Sequence, residues 1–379
     1  PDNLPTLEMA FNNKSSAERF LFTCYSFVPE HGKIGTDPGM DVGDEVWYYS
    51  DNSADYSNKT TFWIAKGMQN SNEPLVDYWN GAQWGKAMFV GIRDCNVFIE
   101  NIDKVPDLSA YDKETWKAEA KVLKAFYHFW MMRMYGPIPI IKENIPVSAG
   151  EDEVRVVRDK IDDIVTYIVS LIDESVEYLP LNIQNEAAEM GRITRPAAKA
   201  IKAKILAFAA SPFFNGNLDY ANFKNAEGEP FFNQVYDNEK WTKAADACLE
   251  AIQCAEEAGH GLYEFVNMSS TQLSDETILS LSNRCKVTER WNKELVWGCG
   301  QSGIRDLQVL CQPWLESNYS SDDRYHNARN GTFAPTLAVA ETFYTKNGVP
   351  MDEDKNYDYS KRYTTQVATE ADKYYIQPG

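Results

Sequence analysis

Residues 118–140 read AEAKVLKAFYHFWMMRMYGPIPI. Up to Tyr135 they belong to Asp112–Tyr135, where Ala118, Val122, Ala125, Phe126, Phe129 and Trp130 recur at helical spacing, so a long helix with one apolar face is expected. Gly136-Pro137 ends it, because proline cannot continue the hydrogen-bond ladder and pushes the residue before it out of the α region. Residues 191–217, GRITRPAAKAIKAKILAFAASPFFNGN, follow the same grammar. Thr194 is placed to cap a helix, Pro196 falls in its first turn, and Ser211-Pro212 stops it. The alanines of this second helix (Ala197, Ala198, Ala203 and Ala207 among them) let neighbours approach it closely on more than one side.

Further helices are expected on both sides of these two. Arg155–Tyr178 carries an apolar stripe through Ile161, Ile164, Val165, Ile168 and Ile172, opposite a solvated face of Asp162, Asp163, Thr166, Asp173, Glu174 and Glu177. Trp241–Ala258 turns Ala244, Ala245, Cys248, Ile252 and Ala255 inward and stops at Gly259. Ser15–Phe27, Asn80–Ile102 and Pro335–Lys346 complete the set, and Glu294–Trp297 reads as a short strand. The segments 28–79, 213–240 and 261–334 are polar and rich in Gly, Asn, Asp, Ser and aromatics; they are too long for plain connectors and read as functional loops. The expected architecture is therefore mainly α. Tetratricopeptide-like helix pairs form a scaffold over about 80–260 plus 335–346, with loops at about 28–79 and 261–334 and a few short strands, in a single domain. No period of about 34 residues is regular enough for a plain repeat array.

Composition removes several classes of function. Lys plus Arg number 37 against 56 Asp plus Glu, a formal charge of −19, which repels phosphate backbones and anionic lipid. No run approaches the roughly 20 apolar residues of a membrane helix. The seven cysteines show no zinc-like spacing and read mostly as buried reduced thiols. HExxH, GxSxG and P-loop patterns do not occur. Gly298-Cys-Gly300-Gln-Ser-Gly303 spells a dinucleotide fingerprint, but Pro313 cuts short any following helix and no βαβ unit surrounds it. Asp352-x-Asp354-x-Asn356 starts like a calcium loop and fails at Tyr357 and Tyr363, where glycine and glutamate belong. The chain opens Pro1-Asp2-Asn3 and reads as a trimmed sequence.

The two long motifs, followed in order by Trp241 with Ala244-Ala245, by Leu262-Tyr263, by Lys293-Glu294-Leu-Val-Trp297 and by Pro335-Thr336 leading to Asn347-Gly348, closely resemble the SusD/RagB family of outer-membrane nutrient-binding lipoproteins. The resemblance runs from about Asn80 onward, and by its pattern a further stretch would follow Gly379. It implies a scaffold of tetratricopeptide-like helix pairs, no enzymatic activity and no cofactor. It also implies an N-terminal lipid anchor outside this sequence, a cell-surface location on the outer membrane, and a SusC-like TonB-dependent transporter as partner. The captured nutrient would be an oligosaccharide, or in some members a peptide.

The residues themselves point the same way. Sugar rings have apolar C–H faces that stack on indole and phenol rings, while nearby polar groups bond the hydroxyls. Of 10 Trp, 21 Tyr and 18 Phe, several lie in polar irregular segments. Trp47-Tyr48-Tyr49, Trp63, Trp79 and Trp84 lie in or beside the first loop; Trp291, Trp297, Trp314 and Tyr319 lie in the last. The candidates for ligand contact are Trp47, Tyr48, Trp63, Trp291 and Trp314, with Asp44 as a hydroxyl partner. Asp41, Asp44, Glu45, Asp51 and Asn52 crowd the first loop and read as solvated turn residues rather than a calcium site. Trp116, Trp130, Trp241, Trp297 and His128 are assigned to structure. A helical glycoside hydrolase with two carboxylates flanking a cleft is the rival reading, and a tetratricopeptide-type protein scaffold is another.

Overall fold

The computed structural model describes residues 7–30, 32–33, 37–48, 60–300, 311 and 333–364. These fall into two compact units: unit 1 comprises 1–29 and 77–300, and unit 2 comprises 30–76 and 301–379.

Unit 1 is built from helices, several of them started by a side-chain cap. The Asn13 side chain accepts the Ser16 N–H and starts α1 (Lys14–Tyr25). Helix α2 is Met88–Asn101 and α3 is Ala110–Tyr135, capped by Ser109 and closed at Gly136 in the left-handed region. Helix α4 is Ile161–Asp173, α5 is Arg195–Ala210 with Thr194 accepting the Ala197 N–H, α6 is Glu239–Glu257, and α7 is Asp275–Thr288. From α1 to α6 each helix packs on the next in sequence. That is the nearest-neighbour logic of a helical solenoid, in which one helix buries its face only by lying against its neighbours. The stretch 118–140 is the axis of the core: Ala120, Val122, Leu123, Tyr127, Phe129, Met131 and Ile138 have no exposed surface. No helix among the described residues is long and apolar enough to cross a membrane.

Several boundaries differ from expectation for identifiable reasons. Helix α4 begins at Ile161 rather than Arg155, because Asp159 bridges to the chain after α3: its N–H donates to Ile138 O and its carboxylate accepts the Ile140 N–H. The expected helix from Asn80 starts only at Met88, since 77–87 folds into a tight turn around Asp77. The expected helix Pro335–Lys346 shrinks to Leu337–Ala340; Pro335 closes a strand, and Thr345 to Val349 forms a hairpin turn over Asn347-Gly348. The segment Glu294–Trp297 is a turn set by Asn292, whose side chain accepts the Glu294 N–H, and is not a strand. Helix α7 lies inside the segment 261–334, which the sequence pattern reads as loop. It buries no residue, so it left no apolar stripe to detect.

Helix α6 buries Ala244, Ala247 and Cys254 against α5, while Cys248 and Ile252, expected inward, are exposed along with Trp241. The alanine-rich face of α5 packs close to small side chains, which rotates the larger ones out. Three cysteines are buried (Cys24, Cys95, Cys254), fewer than expected; Cys285 is half-buried and Cys248, Cys299 and Cys311 are exposed.

His128 is fully buried in α3. Its Nδ1 lies 2.8 Å from the Lys124 carbonyl and its Nε2 accepts the Ile141 N–H at 3.2 Å, so the ring is neutral with the proton on Nδ1. Burial pulls its pKa down to about 4 from 6.5. The native state therefore refuses a proton that the unfolded chain accepts, and the stability this confers is complete above pH 6.5 and lost as pH falls through 4. The loss should reach roughly 3 kcal/mol. Urea denaturation of the protein and of His128→Gln between pH 7 and 4 checks this: the variant should show a shallower fall over that window, and equal slopes would refute it.

Candidate functional site

In unit 2 the first loop makes a small aromatic platform. Strand β1 (Val46–Tyr48) pairs antiparallel with β2 (Phe333–Pro335), Trp47 opposite Ala334 and Tyr48 opposite Phe333. Tyr48, Phe62 and Phe333 form the buried centre, with Met40 and Val46 against it. Trp47 is 37% exposed; its ring stacks on Tyr48 at 5.1 Å and 20°, and meets Phe62 edge-on at 5.3 Å. Phe62 and Trp63 share the short helix Thr60–Ala65, and because neighbours on a helix point apart, Phe62 is sealed while Trp63 is 40% exposed. Lys66 places its ammonium 4.9 Å from the centre of the Tyr48 ring.

The acidic cluster of this loop separates by role. Asp37 caps the turn Pro38–Asp41, accepting the Gly39 and Gly32 N–H groups. Asp41 is fully buried and accepts the Thr61 hydroxyl at 2.7 Å. Asp44 and Glu45 have exposed side chains, and their main-chain carbonyls are tied to Thr336. Asp51 and Asn52 lie outside the described residues, as do Tyr49, Trp314 and Tyr319. Asp354 accepts Thr345 Oγ1, Asn347 Nδ2 and the Asn356 N–H, bonds that hold its carboxyl below the usual range and anchor the hairpin.

Unit 1 presents further indoles. Trp291 is 37% exposed and lines a cavity of about 440 Å³ bounded by 182–194, 258–260 and 291–298. Trp297, assigned to structure, is half-buried; its Nε1 donates to Gly191 O at 2.9 Å and its ring meets Phe126 edge-on at 5.5 Å. Trp84 is the residue that sequence reasoning passed over. At 62% it is more exposed than any other tryptophan described. It stands at φ +71 beside Gln83 at φ +48, a strained pair held by a dense turn. Asp77 Oδ1 accepts the Trp79 and Asn80 N–H groups, and a side chain at Gly85 would run into Asp77 O at 2.0 Å. Trp79 is wedged between Phe89 and Tyr135 with the Arg158 guanidinium over it, so it anchors the turn that displays Trp84. The two indoles share the loop but not the role, and nothing in their spacing distinguishes them.

A family model described as starch-binding and associating with the outer membrane (SusD-like) matches residues 34–206. No curated protein matches the chain. Among solved structures, BT4246 is 26% identical with a TM-score of 0.77, the match covering 97% of this chain and 62% of that one. A SusD-like protein (BF3747) from Bacteroides fragilis is 16% identical with a TM-score of 0.64, covering 95% and 58%. Surface glycan-binding protein A from Bacteroides uniformis is 16% identical with a TM-score of 0.54, covering 87% and 61%. The chain thus spans less than two thirds of the length of each of these structures. Residues 34–206 match the SusD-like family model, and the mainly helical fold is shared with BT4246 and the SusD-like protein BF3747 over almost the whole length of this chain.

Proposed function

We propose that the protein captures oligosaccharide at the outer surface of the outer membrane, without cleaving it. It would hand the ligand to a SusC-like TonB-dependent transporter while held by a lipid anchor preceding Pro1. The family description and the named glycan-binding role of the Bacteroides uniformis neighbour support this reading. The observation that carries it is Trp47: an indole kept partly exposed while Tyr48 and Phe62 fix its orientation. A ring immobilised before binding loses little freedom when a sugar stacks on it. Trp63 supplies a further face in unit 2, Trp84 and Trp291 are candidate contacts within unit 1, Trp314 is retained as a candidate contact, and the exposed Asp44 carboxylate accepts hydroxyl hydrogen bonds. Tyr48, with its ring buried, supports Trp47 from beneath.

Retardation in native gels containing starch, laminarin or other polysaccharides tests the reading. The unmodified protein should be slowed without release of reducing ends. Trp47→Ala, Trp63→Ala and Trp84→Ala should each weaken binding by about tenfold or more, the loss typical of a central aromatic contact. Release of reducing ends would instead favour a hydrolase, and equal mobility of all variants would refute the platform.

A further inference from the structure

We infer that the cavity of unit 1 floored by Trp291 is a separate ligand site, sized and equipped for one or two uncharged pyranose residues. It rests on the glycan reading above and names the kind of ligand taken at this place.

A cavity of about 440 Å³ lies in the range of small-molecule sites. Its floor is constructed at a cost. Trp291 has φ +52, a conformation that bulky residues avoid and that persists only where the surroundings impose it. Asn292 imposes it: Nδ2 donates to Lys286 O at 2.8 Å and to Glu289 O at 2.9 Å, and Oδ1 accepts the Glu294 N–H at 3.0 Å. Two glycines leave the room the indole occupies. A side chain at Gly298 would come within 3.1 Å of the Trp291 ring, and one at Gly191, itself at φ +97, would lie 3.8 Å from that ring and 3.3 Å from Gly298 O. Among the described residues the Trp291 indole N–H has no hydrogen-bond partner, whereas that of Trp297 is spent on Gly191. Trp297 is thus a wall, and Trp291 a platform with a free donor.

The polar groups around it mix donors and acceptors, as a polyol needs. His260 Nδ1 lies 3.1 Å from Lys293 O and carries the proton there, which leaves Nε2 as an acceptor. Lys293 and Glu186 have exposed side chains at the rim. An anionic ligand would need uncommitted positive charge. The Arg192 guanidinium in the cavity wall is already bound to Glu119 and Glu189, and the other two charged side chains of the lining, Lys293 and Glu186, are opposite in sign, so the lining offers no excess of positive charge. An indole face ringed by neutralised donors and acceptors selects a ring with apolar C–H faces and hydroxyls at its edge.

A glycan array that includes neutral and acidic disaccharides, followed by calorimetric titration of the disaccharides bound, tests this. The probes are the unmodified protein, Trp47→Ala/Trp63→Ala, Trp291→Ala, and Lys293→Ala/Glu186→Gln. Neutral disaccharides should still bind the Trp47/Trp63 variant, lose at least about tenfold with Trp291→Ala, and weaken with the rim variant, whose exposed substitutions leave the fold intact. Loss of all disaccharide binding in the Trp47/Trp63 variant would overturn the inference, as would indifference to the rim variant, or binding confined to acidic sugars. In each of those cases the glycan reading would stand. An array with no binding to the unmodified protein would remove both.

Discussion

Arg192→Ala is expected to cost about 3–5 kcal/mol of stability in unit 1, the penalty for leaving a buried charge without its partner. The Glu119 side chain is 2% exposed and that of Arg192 8%, with Nη2 to Oε1 at 2.6 Å and Nε to Oε2 at 3.1 Å. Tyr25 of α1 donates its hydroxyl to Glu119 Oε2 at 2.5 Å and accepts the Ile193 N–H at 2.8 Å. One carboxylate on α3 therefore gathers α1 and the chain leading into α5. Burial pushes the Glu119 carboxyl up and Arg192 pulls it back down. Glu119 in turn holds the guanidinium firmly charged, and burial keeps the Tyr25 phenol protonated as a donor. Without Arg192 the carboxylate keeps only Tyr25, in a site too dry to replace the lost bonds with water. Glu119→Gln should cost less, roughly 1–3 kcal/mol, because the amide keeps part of the hydrogen bonding and Arg192 retains Glu189 at 2.8 Å. Replacing both partners by Leu and Met should recover much of the loss. A double-mutant cycle by urea denaturation measures this; an Arg192→Ala cost below about 1 kcal/mol, or strict additivity, would show that the pair contributes no coupling.

That pair also shows the limits of the sequence. Glu119 and Arg192 stand in the two motifs that carry the family resemblance, yet periodicity treats both as surface charges. Helices α3 and α5 were legible because burial leaves a 3.6-residue rhythm and because Pro, Gly, Ser and Thr punctuate their ends. Helix α7 has no buried stripe, but Ser274 accepting the Thr277 N–H, with Asp275 and Glu276 in the first turn, is a start signal that could have found it. In the loops no such rhythm exists. Trp47 and Trp63 do face outward; Tyr48, a candidate alongside them, is buried, and Trp84 is the most exposed indole among the described residues. Which way a loop side chain points is decided by partners distant in sequence: Phe333 for Tyr48, and Phe89 with Tyr135 for Trp79. A single sequence does not pair them.

The binding platform of unit 2 should depend as strongly on a residue no ligand can touch. Phe62 has no exposed surface, and its ring lies 5.1 Å from Tyr48, 5.3 Å from Trp47 and 5.3 Å from Phe333. Phe62→Ala empties the centre of that cluster and should cost about 3–5 kcal/mol. Unit 2 has its own small core, so the loss should appear as local opening rather than as a shift of one global transition. The Thr336 N–H, which donates to Glu45 O across the two strands, reports it directly: its hydrogen exchange should accelerate by a hundredfold or more, while amides of α3 in unit 1 stay as slow as before. Binding should fall too, because an indole that swivels must be ordered again by the sugar. Phe62→Leu keeps most of the volume and should retain most of the protection. Unchanged exchange at Thr336 together with full polysaccharide binding in Phe62→Ala would mean that Trp47 is held by something other than this cluster, and the rigid platform would no longer explain recognition.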